Sequence, residues 1–311
     1  MSCEVQNLAY VISSTPFNNN DVNLNHSINY TYIDETTNET GVNIIQYIVY
    51  DYWINKSDER VDKYWLFGGG PQMFALILFS WLVFVVKIGP NLMKTKQPFV
   101  LREIMMAYNL IVVVINIYAV IVSIKWLDFG KKTFEIELLE RNNTSDEVMQ
   151  EIHEKMIVFY SKLIDLFDTI FFVLRKKSNQ ISFLHLYHHF MVPVLGYMAM
   201  KTGSVMSCVF GVFVIMNSTV HIIMYSYYFL AAFGPKIQPY LWWKRYITQI
   251  QLIQFVILII YAIYVFIAKD LSQYPDAIKW TVIVQPFIFF YMFLKFYLIT
   301  YKKSAKIIKN N

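Results

Sequence analysis

The chain has 311 residues, of which 56% are hydrophobic and 18% aromatic, with a mean hydropathy of +0.39 and a formal net charge of +5. Ordinary soluble domains are about 45–50% apolar, so this composition excludes one and predicts a polytopic membrane protein. Its Lys and Arg residues gather at the ends of apolar runs, which argues for membrane topology and against nucleic-acid binding; Cys3 in a polar tail and Cys208 in an apolar run exclude a disulfide framework.

Residues 1–60 form a tail rich in Asn and Thr, with N-x-Ser/Thr acceptor patterns at Asn25, Asn29, Asn38 and Asn55 that predict glycosylation on a lumenal or extracellular side. The run Leu8 to Ile12 is too short for a signal-peptide core and lacks a basic flank, so the first true span is expected to orient the chain. Seven stretches of spanning length follow, at about 71–90, 104–125, 156–174, 183–200, 204–230, 246–267 and 278–300. Lys87, Lys94, Lys96 and Arg102 occupy the first connection, Arg175, Lys176 and Lys177 the third, and Lys236, Lys244 and Arg245 the fifth. Lys302, Lys303, Lys306 and Lys309 follow the last span. The positive-inside rule assigns all four segments to the cytosol, and an odd number of spans then puts the N-terminus in the lumen. The loop after Trp126 also carries Lys131, Lys132, Arg141 and Lys155, but its acceptor patterns at Asn142 and Asn143 and the parity of the spans predict a lumenal loop. The expected division is a tail at 1–60, a seven-span domain at 61–303 and a basic cytosolic tail at 304–311.

Polar side chains inside these spans concentrate at one depth. His185, His188 and His189 open the fourth span, and on a helix the first and last stand one turn apart with His188 beside them. Lys162, Asp165, Asp168 and Thr169 lie in the middle to cytosolic half of the third span. His221, Met224, Tyr225 and Tyr228 share one helical face of the fifth, and Thr248, Gln251, Gln254 and Phe255 share a face of the sixth. Polar groups in a membrane are costly to bury and mark function. An enzyme acting on a cytosolic polar substrate with an apolar tail explains their common depth. The competing class, a seven-span receptor or transporter, predicts access from the lumen or outside and leaves the histidines unexplained. Pro193 lacks an N–H, which frees the His189 carbonyl for another donor.

Two chemistries suit three histidines in five residues. The pattern H-x-x-H-H occurs in di-iron desaturases and hydroxylases of membranes, which use about eight histidines. This chain has six, of which His26 and His153 fall in lumenal segments, so no metal is expected. The alternative is covalent and acid–base work, because an imidazole that is largely neutral at physiological pH can attack an acyl group or shuttle a proton.

The segments Lys162 to Thr169, His185 to His189, Asn217 to Tyr228 and Thr248 to Phe255 resemble, in order and spacing, the four signatures of the ELO family, the elongases of very-long-chain fatty acids. Gly89-Pro90, Lys94, Pro98 and Tyr108-Asn109 resemble that family's first loop and second span, and the similarity runs from about Trp65 to Tyr301. The resemblance implies an all-α membrane protein with seven transmembrane helices, six of them a barrel around an acyl tunnel. It implies a very-long-chain 3-oxoacyl-CoA synthase of the endoplasmic reticulum that joins acyl-CoA and malonyl-CoA, releases CO2 and CoA, and uses no cofactor. Membrane lipid, the reductases and dehydratase of the elongation cycle and a second copy of the chain are the implied partners. Two positions depart from the family: Asp165 stands where Glu is usual, and only Lys309 represents the paired lysines of a C-terminal retrieval signal, so retention is expected to rest on another signal.

Under that resemblance His188 is expected to be the nucleophile, with His185 and His189 orienting or deprotonating it and Asp165 and Asp168 in the catalytic set. Asn217 and His221 would stabilise an enolate oxygen. Lys162, Thr169, Tyr225, Tyr228, Thr248, Gln251 and Gln254 are expected to contact substrate, and Lys176, Lys177, Lys244 and Arg245 to meet the CoA phosphates. On the sixth span Gln251, Gln254, Leu258, Tyr261, Val265 and Lys269 share a face roughly 27 Å long, expected to line the acyl tunnel.

Overall fold

A computed structural model describes residues 50–135, 142–202, 207–268 and 276–302, together with two short strands. The chain forms two units, Met1–Asn43 and Ile44–Asn311. The first contains a two-residue antiparallel pair, β1 (Tyr32–Ile33) and β2 (Thr40–Gly41), in which Tyr32 faces Gly41 and Ile33 faces Thr40. The acceptor patterns at Asn25, Asn29 and Asn38 and the C-terminal tail lie outside the described residues.

The described part of the second unit is helical. Helix α1 (Gln72–Val83) widens into a π turn at Phe84–Ile88 and continues as Gly89–Met93. Pro90 has no N–H for the helical ladder, and the extra residue of the π turn accommodates it. Gly89 is needed there for space, since a Cβ would stand 2.7 Å from Val173. Then come α2 (Arg102–Trp126), a 3-10 turn at Asp128–Phe134, α3 (Asp146–Ile164) and α4 (Phe167–Leu174). The chain continues with α5 (Phe183–Lys201), α6 (Ser207–Ala231), α7 (Lys244–Ala268) and α8 (Asp276–Tyr297). Asp146 and Glu147 favour the start of α3 through the helix dipole, and Ser182 caps α5 by accepting from the His185 N–H at 3.2 Å.

Among the described residues, five helical stretches are long and apolar enough to cross a membrane: Gln72–Met93, Arg102–Trp126, Cys208–Ala231, Gln238–Ala268 and Lys279–Tyr301. The predicted third and fourth spans are not among them. The third is broken at Asp165–Leu166 into α3 and α4, and three histidines lower the hydropathy of the fourth, α5. The two stretches that carry most of the polar motif are therefore the two that read least like membrane helices.

Packing begins before α1. Val61, Leu66 and Phe67 enter a core with Phe74, Phe159 and Met200, and the Tyr197 ring lies stacked against Phe67 and Phe74 at 4.9 and 4.3 Å. α2 runs along α6, α7 packs on α8, and α8 keeps most of its surface outside the bundle. Below α5 a charged lock joins the preceding loop to the bundle. The wholly buried Lys201 ammonium pairs with Asp62 at 2.7 Å and donates to the Phe67 carbonyl, while the Lys201 carbonyl accepts from the Asp58 N–H at 2.9 Å. Arg60 clamps Asp58 with two nitrogens at 2.9 and 2.7 Å and donates to the Asn143 carbonyl at 3.0 Å. Asn55 and the Asn142–Asn143 acceptors therefore belong to one end of the helical unit, and all three side chains are exposed.

Candidate active site

The break between α3 and α4 turns Lys162, Asp165 and Asp168 toward α5 and α6. Trp81 of α1 supports the break by donating to the Leu166 carbonyl at 3.0 Å, which satisfies a backbone group freed where the helical ladder stops. Lys162 and Asp165 form a buried ion pair at 3.2 Å, and the same Asp165 oxygen stands 3.7 Å from Nδ1 of His221. One turn back on α6, Asn217 Nδ2 is 3.5 Å from Nε2 of His221. His221 Nδ1, Asn217 Oδ1 and Ser218 Oγ are buried without a hydrogen-bond partner.

The motif on α5 folds as its spacing predicts. His185 and His189 have ring centres 4.2 Å apart, His188 and His189 5.5 Å, and His188 faces His221 of α6 at 6.2 Å. Thr169 Oγ1 of α4 hydrogen-bonds Nε2 of His185 at 2.9 Å. Tyr225, fully buried one turn beyond His221, donates to Asp168. His185, His188, His189, His221, Asn217, Lys162, Asp165, Asp168, Thr169 and Tyr225 thus form one cluster built by α3, α4, α5 and α6. Among the described residues no three His, Cys, Asp or Glu side chains are arranged to hold a metal ion.

Other predicted residues lie apart from this cluster. Tyr228 is exposed at the end of α6 and touches the Tyr225 and Tyr227 rings. Thr248 and Gln254 are buried on α7, and the half-buried Gln251 points its amide at the Met224 sulfur at 3.7 Å. Lys177, Lys244 and Arg245 are exposed at helix ends. Lys176, with a left-handed φ of 53°, donates to the Lys94 carbonyl at 3.3 Å beside a cleft bordered by Pro90, Met93, Phe172 and Ile181. The periodic faces of α6 and α7 thus extend further along their helices than the cluster does.

Three contributors were not singled out from sequence as site residues. Tyr108 reaches in from α2, donates to the Ile164 carbonyl at 3.3 Å, and has its ring 6.2 Å from Tyr225. From α8, Phe289 packs on His188 at 5.5 Å, and Gln285 accepts from Tyr187 at 3.1 Å. The similarity of Tyr108-Asn109 to a family motif marked the first; no spacing pattern on α8 marked Gln285 and Phe289.

An apolar cavity of about 170 Å³ begins one helical turn from the imidazoles. Lys162, Asn217 and Ser218 line its polar end; Val192, Phe213, Phe255 and Leu258 line its middle; Val209 and Tyr261 line its far end. The expected tunnel face of α7 is thus present at Leu258 and Tyr261. Gln251 and Gln254 are not in the wall, Val265 packs past its end with Leu127 and Cys208, and Lys269 lies outside the described residues. A cluster of acid–base groups at the head of a narrow apolar chamber suits a long-chain substrate with its reactive end among the imidazoles.

Comparison with known proteins agrees. The ELO family, described as GNS1/SUR4, matches residues 66–308. Very long chain fatty acid elongase 7 of Rattus norvegicus is 35% identical over 264 residues, 84% of this chain and 91% of its own length. Very long chain fatty acid elongase 1 of Homo sapiens is 35% identical over 272 residues, 86% of this chain and 93% of its own. Very long chain fatty acid elongase 4 of Homo sapiens is 36% identical over 261 residues, 80% of this chain and 77% of its own.

Proposed function

We propose that this chain, which belongs to the ELO (GNS1/SUR4) family, performs the condensing step of fatty-acid elongation. Membership and the named relatives support an enzyme of fatty-acid elongation in a membrane with several spans. The observation that carries the finer reading is the placement of four imidazoles one turn above an apolar chamber.

In this reading the acyl tail of an acyl-CoA occupies the chamber, and a neutral His188 ring attacks the thioester carbonyl carbon. The carbon–sulfur bond breaks, CoA leaves with the proton released from the imidazole, and an acyl-imidazole remains. His189 and the Thr169-anchored His185 orient His188 and carry that proton. Malonyl-CoA then loses CO2, its enolate carbon attacks the acyl carbon, and the carbon–nitrogen bond breaks to give a 3-ketoacyl-CoA two carbons longer. The imidazole regains a proton from solvent. Asn217 and His221 stabilise the enolate oxygen as donors: the Asn217 Nδ2 group meets His221 Nε2 at 3.5 Å, which leaves the unpartnered Nδ1 of His221 to carry the proton it donates. Lys162 and Asp165 set the charge beside it. Asp165 is one methylene shorter than the family's usual Glu, and at 3.7 Å from His221 it stands beyond direct hydrogen-bond range. No cofactor enters.

Lys176, Lys177, Lys244 and Arg245 take the CoA phosphates in the cytosol. Seven spans, a lumenal N-terminus in the endoplasmic reticulum, glycosylation at the acceptor asparagines, and association with the reductases and dehydratase or with a second copy complete the proposal. Purified protein given labelled long-chain acyl-CoA alone should release CoA and retain a labelled acyl group on His188 by mass spectrometry. Adding malonyl-CoA should discharge that group as product. No release and no adduct, with product formed only when both substrates are present, would replace this scheme with a ternary complex.

A further inference from the structure

The chain that follows α2 packs beside the far end of the chamber. Leu127 is buried against α6 at Gly211, where a Cβ would stand 3.1 Å from the leucine side chain, so the glycine provides the notch that the leucine fills. Leu127, Cys208, Tyr261 and Val265 form one apolar cluster. Two residues of the chamber wall, Val209 and Tyr261, belong to or pack against it, so the cluster begins where the chamber ends.

The leucine is held by an unusual turn. Asp128, Phe129 and Gly130 all have positive φ, at 43°, 52° and 99°, and the Leu127 carbonyl accepts from the N–H groups of both Gly130 and Lys132 at 2.9 and 3.0 Å. Two consecutive non-glycine residues in the left-handed region persist only where surroundings enforce them. Tyr261 does so from α7: its hydroxyl donates to the Thr133 carbonyl at 2.7 Å, and its ring packs on Phe134 at 6.2 Å. The wall of the chamber and the loop beside it are thereby clasped together.

We infer that Leu127 is the stopper that sets the longest acyl chain the enzyme accepts, and that the Tyr261–Thr133 hydrogen bond keeps it seated. The inference rests on the condensing reading above and adds its specificity determinant. An acyl chain that outgrows the chamber must expel Leu127 from the Gly211 notch and break the clasp. Shortening the leucine gives the next two methylenes apolar room.

The test compares wild type with Leu127→Ala, Leu127→Val and Tyr261→Phe in a membrane preparation, using a ladder of saturated acyl-CoAs and labelled malonyl-CoA. The readout is kcat/KM for a substrate two carbons beyond the wild-type limit, divided by that for a short substrate. Burial of two further methylenes predicts a rise on the order of tenfold for Leu127→Ala. Leu127→Val and Tyr261→Phe should move the ratio the same way by a smaller factor, and they decide the matter if the alanine variant does not accumulate. An unmoved ratio in accumulated variants overturns the stopper while leaving condensation intact. Wild-type protein that transfers no malonyl carbon to any acyl-CoA overturns the condensing reading itself.

Discussion

α5 carries a cluster of buried polar groups near each end, roughly 18 Å apart along its axis between His189 and Lys201, and the two are built differently. At the Lys201 end every cation meets its carboxylate at hydrogen-bond distance, as in Lys201–Asp62 at 2.7 Å, Arg60–Asp58 at 2.7 Å and Lys155–Glu151 at 2.6 Å. At the histidine end Lys162 meets Asp165 at 3.2 Å, Thr169 holds His185 and Tyr225 holds Asp168, while His221 stands 3.5 Å from Asn217 and 3.7 Å from Asp165 with its Nδ1 unpartnered. A structural cluster satisfies its own groups, because an unpaired buried charge costs several kcal/mol. A reactive one anchors its rim and leaves capacity at its centre for atoms that arrive with substrate.

The comparison is broken most severely by His188→Ala. It should lower CoA release from acyl-CoA alone by at least about 1,000-fold and abolish the acyl adduct, while the thermal midpoint in detergent stays close to that of wild type. Undiminished release would move the nucleophile elsewhere. Asp62→Ala should give the converse pattern. Removing the carboxylate leaves the Lys201 cation buried; because Asp62 is itself part-exposed, the loss of stability is about 1–3 kcal/mol. Thermal unfolding should show a midpoint several degrees lower, with activity per folded molecule within about twofold of wild type because the sites are distant. Loss of turnover in well-folded protein would mean that the two ends are coupled.

Two smaller effects sharpen the contrast. Tyr225→Phe removes the hydrogen bond donated to Asp168 and should reduce kcat on the order of tenfold, measured in steady state, with a stability loss of about 1–3 kcal/mol because the buried carboxylate loses a donor. Chelator treatment should change condensation by less than about twofold. Activity lost to a chelator and restored by iron would recast the imidazoles as ligands.

Hydropathy alone identified the five long apolar helices, and the spacing of His185, His188 and His189 placed their rings together on one turn. Both are local properties of a helix. The break at Asp165–Leu166 was not legible, because Leu163 to Phe172 is periodic enough to continue a helix and the donor that stabilises the break is Trp81, 85 residues earlier. The Lys201 lock was equally hidden: the lysine reads as the polar end of a span, and its partner Asp62 is 139 residues away in the chain. Of the α7 face, Leu258 and Tyr261 border the cavity while Val265 packs with Leu127 and Cys208, because a helical period gives direction and not the place where the space ends.

That separation of 139 residues also orders events in time. At about 5–20 residues per second of synthesis, Asp62 waits roughly ten seconds or more before Lys201 exists to meet it. Until then the Asp62 carboxylate has the Ser57 hydroxyl at 2.7 Å but not its cation, and the Asp58 N–H lacks the Lys201 carbonyl it meets at 2.9 Å. Ser57 is the hydroxyl residue of the Asn55 acceptor pattern. On the proposal that Asn55 is glycosylated, the modifying enzyme would meet that hydroxyl on the growing chain, before Lys201 pairs with Asp62 and draws the loop shut.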